Sequence, residues 1–84
     1  MTMRKILIVE DQALARTYLC ACVEKCADCQ VAGTLFRADA ALQRCNEGPI
    51  DLILMDICTE SDSDGLAAAE SIKKIYPQIK IVMV

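Results

Sequence analysis

Two apolar runs of four residues, each followed at once by acidic residues, constrain this sequence most strongly. They are residues 6–9 (Ile-Leu-Ile-Val) and residues 52–55 (Leu-Ile-Leu-Met). Neither run alternates apolar with polar residues, and unbroken apolar strands are typical of parallel sheets covered on both faces. The sequence therefore predicts an α/β fold with helices on both sides of a sheet.

The remaining elements alternate between strand and helix. A strand is predicted over residues 79–84, and a weaker one over residues 30–35, where Gly33 interrupts the apolar pattern. Helices are predicted from about residue 13 to 25, over residues 38–45 until Gly48 and Pro49 end the pattern, and around residues 68–75. The order β-α-β-α-β-α-β, with right-handed crossovers, predicts a doubly wound parallel sheet and a single domain.

Apolar spacing also predicts which side of each helix faces the core. The residues expected to face inward are Ala15, Leu19, Cys22 and Cys26 on the first helix, Ala38, Ala41, Leu42 and Cys45 on the second, and Ala68, Ile72 and Ile75 on the third.

Charge and hydropathy exclude several classes of function. The net charge is −3 and the basic residues are scattered, whereas binding to a phosphate backbone needs clustered Lys and Arg. No apolar run approaches the roughly 18 residues of a membrane span, and the N-terminus lacks the apolar region of a cleavable signal. We expect a cytoplasmic domain that binds neither nucleic acid nor membrane directly.

The chain has no histidine but six cysteines. The lack of histidine excludes His-based acid–base catalysis and mixed Cys/His zinc sites. In a reducing compartment we expect the cysteines to behave as small buried apolar residues. A four-thiolate metal site of Cys20, Cys22, Cys26 and Cys29 is disfavoured because the segment is mostly helical. A redox pair of Cys26 and Cys29 is disfavoured because it lies at the end of a helix, whereas a reactive pair usually lies at a helix N-terminus after a strand.

Three carboxylates follow the two apolar runs. Glu10 and Asp11 come directly after the first, and Asp56 comes directly after the second. Because chemistry in an open parallel sheet collects beyond the carboxyl ends of the strands, we expect these groups to share one edge. Like charges this close are unfavourable, and one way to relieve the repulsion is to bind a hard divalent cation with oxygen ligands. The alternative is that these acidic residues only cap helices or face water. The pattern favours a Mg²⁺ site.

These residues carry a family resemblance that covers the whole chain. The segments 5–12 (Lys-Ile-Leu-Ile-Val-Glu-Asp-Gln), 51–57 (Asp-Leu-Ile-Leu-Met-Asp-Ile), 64–66 (Asp-Gly-Leu) and 79–84 together resemble the receiver domain of two-component response regulators. The resemblance implies a flavodoxin-like sheet with strand order 2-1-3-4. It also implies phosphoryl transfer from a sensor histidine kinase, which would control an output domain, with transcription regulation the expected output.

The resemblance assigns a role to each site residue. Asp56 is similar in position to the phosphoacceptor and nucleophile, and Asp11 to a direct Mg²⁺ ligand. Asp56 and the backbone carbonyl of Cys58 would be further Mg²⁺ ligands, while Glu10 would act on the metal through water. The chain would then be a regulatory phosphoacceptor with self-phosphorylation chemistry only, not an enzyme.

The sequence departs from the family pattern in two places. The loop over residues 58–65 lacks the usual proline and has one extra residue. The chain also stops at Val84, before the Ser or Thr, the Lys, the fourth and fifth helices and the fifth strand that the resemblance implies. We therefore expect residues 1–84 to be a truncated receiver domain that self-associates through an exposed fourth strand.

Other interpretations stay open. Residues 60–65 (Glu-Ser-Asp-Ser-Asp-Gly) resemble a calcium loop, although the last acidic ligand would come one position early, at Glu70. A phosphatase-like or nuclease-like α/β enzyme would also use Mg²⁺ and strand-end carboxylates, but an aspartate nucleophile usually has a second Asp where this chain has Cys58. An inert structural fragment is the third alternative.

Overall fold

Four strands and three helices alternate along residues 3–55 and 62–84, the residues that the computed structural model describes, with the side chains of 62–64 outside the description. The strands are β1 (Arg4–Val9), β2 (Cys29–Leu35), β3 (Leu52–Met55) and β4 (Lys80–Met83). The helices are α1 (Ala13–Glu24), α2 (Ala41–Glu47, after a short 3-10 turn at Ala38–Ala40) and α3 (Asp62–Ile75).

The strands form one parallel sheet in the order β2-β1-β3-β4. The two apolar runs lie side by side at its centre, where Ile6 pairs with Leu52 and Val9 pairs with Met55. This arrangement confirms the predicted α/β fold and the strand order 2-1-3-4.

Alternate side chains of the central strands pack into two separate cores, one on each face of the sheet. Leu7, Val9, Ile53 and Met55 are fully buried on the face that α2 and α3 cover, with Ile72 of α3 packed among them. Ile6 and Ile8 lie in the other core with Val23 of α1. Burial on both faces explains why neither strand alternates apolar with polar residues.

Strand β2 contains a bulge at Ala32. Ile6 pairs with Val31 but Leu7 pairs with Gly33, so Ala32 is an extra residue. The guanidinium of Arg44 on α2 donates to the carbonyl oxygen of Ala32 at 3.1 Å and lies close above Gly33, where an added Cβ would be 3.4 Å from Arg44 Nε. A side chain on residue 33 would crowd this contact.

The structure corrects two of the predicted helix faces. On α1 the residues that meet the core are Leu19, Cys20 and Val23, whereas Cys22 is exposed. Cys26 lies beyond the end of α1 and is also exposed. On α3, Ile72 is buried as predicted, but Ile75 is 56% exposed because it lies in the last turn, at the end of the sheet-facing surface. The predicted inward face of α2 is confirmed, since Ala38, Ala41 and Cys45 are buried.

The cysteines do not share one environment. Among those in the described residues, Cys45 is buried, Cys20 and Cys29 are half-buried, and Cys22 and Cys26 are exposed. The expectation that cysteines are core residues is therefore correct for Cys45 and wrong for Cys22 and Cys26. Burial raises the pKa of the Cys45 thiol, which keeps it protonated and unreactive.

Candidate functional site

The candidate site lies where β1 and β3 end side by side. The backbone N–H of Glu10 donates to the carbonyl oxygen of Leu35 at 2.9 Å, so the β1–β2 pairing extends one residue past β1. On the other side, Val84 N–H donates to the Met55 carbonyl oxygen at 2.8 Å, just past β4. Neighbouring strands thus hold the ends of β1 and β3 level at this edge.

Glu10 and Asp11 differ in exposure. The side chain of Glu10 is buried, at 6% exposure, and its carboxylate accepts the backbone N–H of Gln12 at 3.2 Å. Asp11 is exposed. A buried carboxylate next to an exposed one, just before the first turn of α1, is an oxygen-rich donor set of the kind that Mg²⁺ prefers.

The other predicted site residues cannot be placed against this pair. Asp56 and Cys58 lie outside the described residues, as do residues 60 and 61 of the calcium-like loop and the side chains of residues 62–64. Their roles therefore remain predictions. The described part of β3 ends at Met55, the residue before Asp56 and the partner of Val9.

Arg16 is a residue of the site that sequence reasoning missed. From the first turns of α1 its Nη1 donates to the carbonyl oxygen of Glu10 at 2.9 Å. Its guanidinium carbon also lies 4.4 Å from the centroid of the Phe36 ring, within the range of a cation–π contact. The position of Arg16 six residues after Glu10 is the only sequence signal that could have suggested this contact.

The cysteine cluster does not form a metal site. Among the described side chains, those of residues 3–55 and 65–84, no three cysteine or acidic residues are placed to hold a metal ion together. This counts against the four-thiolate alternative, because Cys20, Cys22, Cys26 and Cys29 are all described. It does not test a site that includes Asp56. The Cys22 thiol does contact Tyr18, and its hydrogen bond raises the pKa of that phenol.

The fold, together with the acidic residues that follow the central strands, defines the class of domain to which the chain belongs. A four-stranded parallel sheet of order 2-1-3-4, with helices on both faces and acidic residues after its central strands, is a receiver-like α/β domain. The family model described as the response regulator receiver domain matches residues 6–84. The chain belongs to this family, the receiver domains of two-component systems.

Known proteins agree with this assignment. The chain is 37% identical over 79 residues to the response regulator protein VraR of Staphylococcus aureus and 35% identical to that of Staphylococcus saprophyticus. Each match covers 94% of this chain but 37% of the relative, so the chain spans just over a third of the relatives' length.

Solved structures share the fold. The response regulator domain of Thermotoga maritima CheB superposes with a TM-score of 0.84 at 27% identity, over 96% of this chain and 59% of that one. The RcsB response regulator of Salmonella typhimurium superposes with a TM-score of 0.85 at 18% identity, over 99% of this chain and 42% of that one, a likeness of fold alone. No described helix of the chain is long and apolar enough to cross a membrane.

Proposed function

We propose that this domain accepts a phosphoryl group on Asp56 from a sensor histidine kinase and thereby controls an output, with transcription regulation in the cytoplasm as its setting. The observation that carries the proposal is the pairing of Val9 with Met55 in neighbouring parallel strands. That pairing brings Glu10 and Asp11 to the edge at which the chain continues into Asp56. The family match over residues 6–84 supports the same role.

Carboxylate and carbonyl oxygens are the ligands that Mg²⁺ prefers. We propose Asp11, Asp56 and the Cys58 carbonyl oxygen as its ligands, with Glu10 acting through water. When bound, the cation would neutralise charge between the carboxylates and the incoming phosphoryl group. An oxygen of Asp56 attacks phosphorus while the bond from phosphorus to the donor breaks, so Asp56 becomes an acyl phosphate and the donor leaves with its electron pair.

Acetyl phosphate with Mg²⁺ tests this function in the 84-residue chain. We expect one phosphoryl adduct by intact mass, stable in acid and labile in base, that disappears when EDTA removes the cation. Asp56→Asn should abolish the adduct, because an amide is a far weaker nucleophile than a carboxylate. Asp28→Asn is the matched control, since Asp28 is exposed and precedes β2 at the opposite edge of the sheet.

The outcome also separates the alternative functions. Steady hydrolysis of a phosphate ester without an accumulating adduct would support the phosphatase-like enzyme instead. The inert fragment would be supported if no adduct formed and millimolar Mg²⁺ did not raise the melting temperature, because a ligand that binds only the folded state must stabilise it.

We also propose that the 84-residue chain self-associates through β4. The strand lies at one end of the sheet that the described residues form, and its Val82 side chain is 44% exposed. An edge strand presents unpaired backbone groups to a second copy. Light scattering after size exclusion should show a dimer or larger species whose share grows with protein concentration. A clean monomer at high concentration would contradict this proposal.

A further inference from the structure

Three contacts and one peptide bond link the end of β1 to the end of β2 in a closed ring. Glu10 N–H donates to the Leu35 carbonyl oxygen at 2.9 Å, and the Glu10 carbonyl oxygen accepts Arg16 Nη1 at 2.9 Å. The guanidinium of Arg16 lies on the Phe36 ring at 4.4 Å, and Phe36 follows Leu35 in the chain. Both polar groups of the Glu10 backbone are therefore fixed by neighbouring segments.

The contacts use properties that arginine has and lysine lacks. A guanidinium is planar, so its face can stack on an aromatic ring while its edge donates hydrogen bonds. Phe36 is 63% exposed, a large apolar side chain left at the surface, and Arg16 covers one face of its ring. Arg16 is thus held by two groups, the ring and the carbonyl oxygen.

Anchoring the Glu10 carbonyl also sets the direction of Asp11. The peptide group that joins the two residues is planar, so the carbonyl oxygen of Glu10 and the N–H and Cα of Asp11 move as one unit. A shift of about 1 Å in a reacting or binding group can lower a rate by up to about a hundredfold. The contact between Arg16 and the Glu10 carbonyl oxygen therefore controls the direction in which the Glu10 and Asp11 carboxylates point.

We propose that Arg16 is a positioning residue, which, held on the ring of Phe36, fixes the Glu10–Asp11 backbone so that both carboxylates face one cation. The effect on the cation rests on the function proposed above. The effect on the backbone does not, and the two are tested separately.

Amide hydrogen exchange in the metal-free protein tests the backbone effect. The N–H groups of Glu10 and Gln12 donate to the Leu35 carbonyl oxygen and to the Glu10 carboxylate. We expect Arg16→Met to speed exchange at these two amides about tenfold, the factor that corresponds to one lost hydrogen bond to a charged group. Arg16→Lys should restore part of the protection, since it keeps a charged donor. Arg37→Met is the matched control, because Arg37 is 72% exposed and contacts Asp39 at 3.2 Å instead. Amides near Val23 should not change in any variant.

Calorimetric titration with Mg²⁺ tests the effect on the cation. We expect Arg16→Met to weaken binding about tenfold and Phe36→Leu about threefold, with the double variant no weaker than Arg16→Met because the two side chains act as a unit. A lower melting temperature with unchanged exchange and unchanged Mg²⁺ affinity would overturn the proposal and leave Arg16 a purely structural residue. If the unvaried protein neither binds Mg²⁺ nor accepts phosphate, the proposed function is overturned. Faster amide exchange in Arg16→Met would still support the effect of Arg16 on the backbone.

Discussion

Replacing Ile53 with alanine is expected to lower the free energy of unfolding by about 3 kcal/mol. Ile53 is fully buried in β3, where it pairs with Leu7 of β1 and Ile81 of β4 and packs in the core beneath α2 and α3. Shortening the Ile53 side chain to alanine removes apolar contacts and leaves a cavity that the neighbouring strands cannot close. Since small domains are stable by only about 5–15 kcal/mol, the loss is a large share of the total.

Urea denaturation followed by circular dichroism measures the effect. Leu14→Ala is the control, because it shortens an apolar side chain that is 88% exposed on α1. Its stability change should stay within about 0.5 kcal/mol. Equal losses in the two variants would mean that the packing around Ile53 is not what stabilises the sheet.

The second large effect is expected at the acidic pair. Asp11→Asn should weaken Mg²⁺ binding by at least about tenfold, because it removes the charge of a proposed direct ligand. Glu10→Gln should weaken binding less, because Glu10 is proposed to act through water. Asp11→Asn should also raise the melting temperature of the metal-free protein, since it removes a negative charge next to that of Glu10. Added Mg²⁺ should then stabilise the variant less than the parent chain.

Melting curves with and without Mg²⁺, together with calorimetry, check both parts. Asp28→Asn again serves as the control, and it should change neither the melting temperature nor the Mg²⁺ affinity measurably. If Asp11→Asn keeps the parent affinity, Asp11 is not a ligand and the assignment of the site is wrong.

The central strands could be predicted from sequence because burial on two faces leaves a local signal, whereas the strand order is implied by the family resemblance and is confirmed by the sheet. Residues 6–9 and 52–55 are apolar without interruption, and each is a strand of the structure. The inward face of α1 could not be predicted in the same way. Apolar residues occur all round this helix, so spacing alone cannot distinguish Cys22 from Val23, and only the position of the sheet decides between them.

The residues of the candidate site also differ in whether the sequence could predict them. Glu10 and Asp11 could be assigned to the edge because they follow a recognisable strand. Arg16 and Phe36 could not be assigned, because their contact depends on how β2 is aligned with β1, which the chain sets through packing of distant segments. The roles of Asp56 and Cys58 remain predictions, since both residues lie outside the described part of the chain.

The bulge at Ala32 has a consequence for the length that β2 can tolerate. Val31 packs in the core beneath α1, and Leu35, four residues later, packs in the opposite core, although an even spacing would put both on one face of a regular strand. The extra residue therefore switches the strand from one core to the other. We expect a one-residue deletion near Ala32 to straighten the strand while Leu35 still pairs with Val9. Strand β2 thus contains one residue more than regular pairing with β1 requires. The β3–β4 pairing at the opposite edge of the sheet is regular and has no such extra residue.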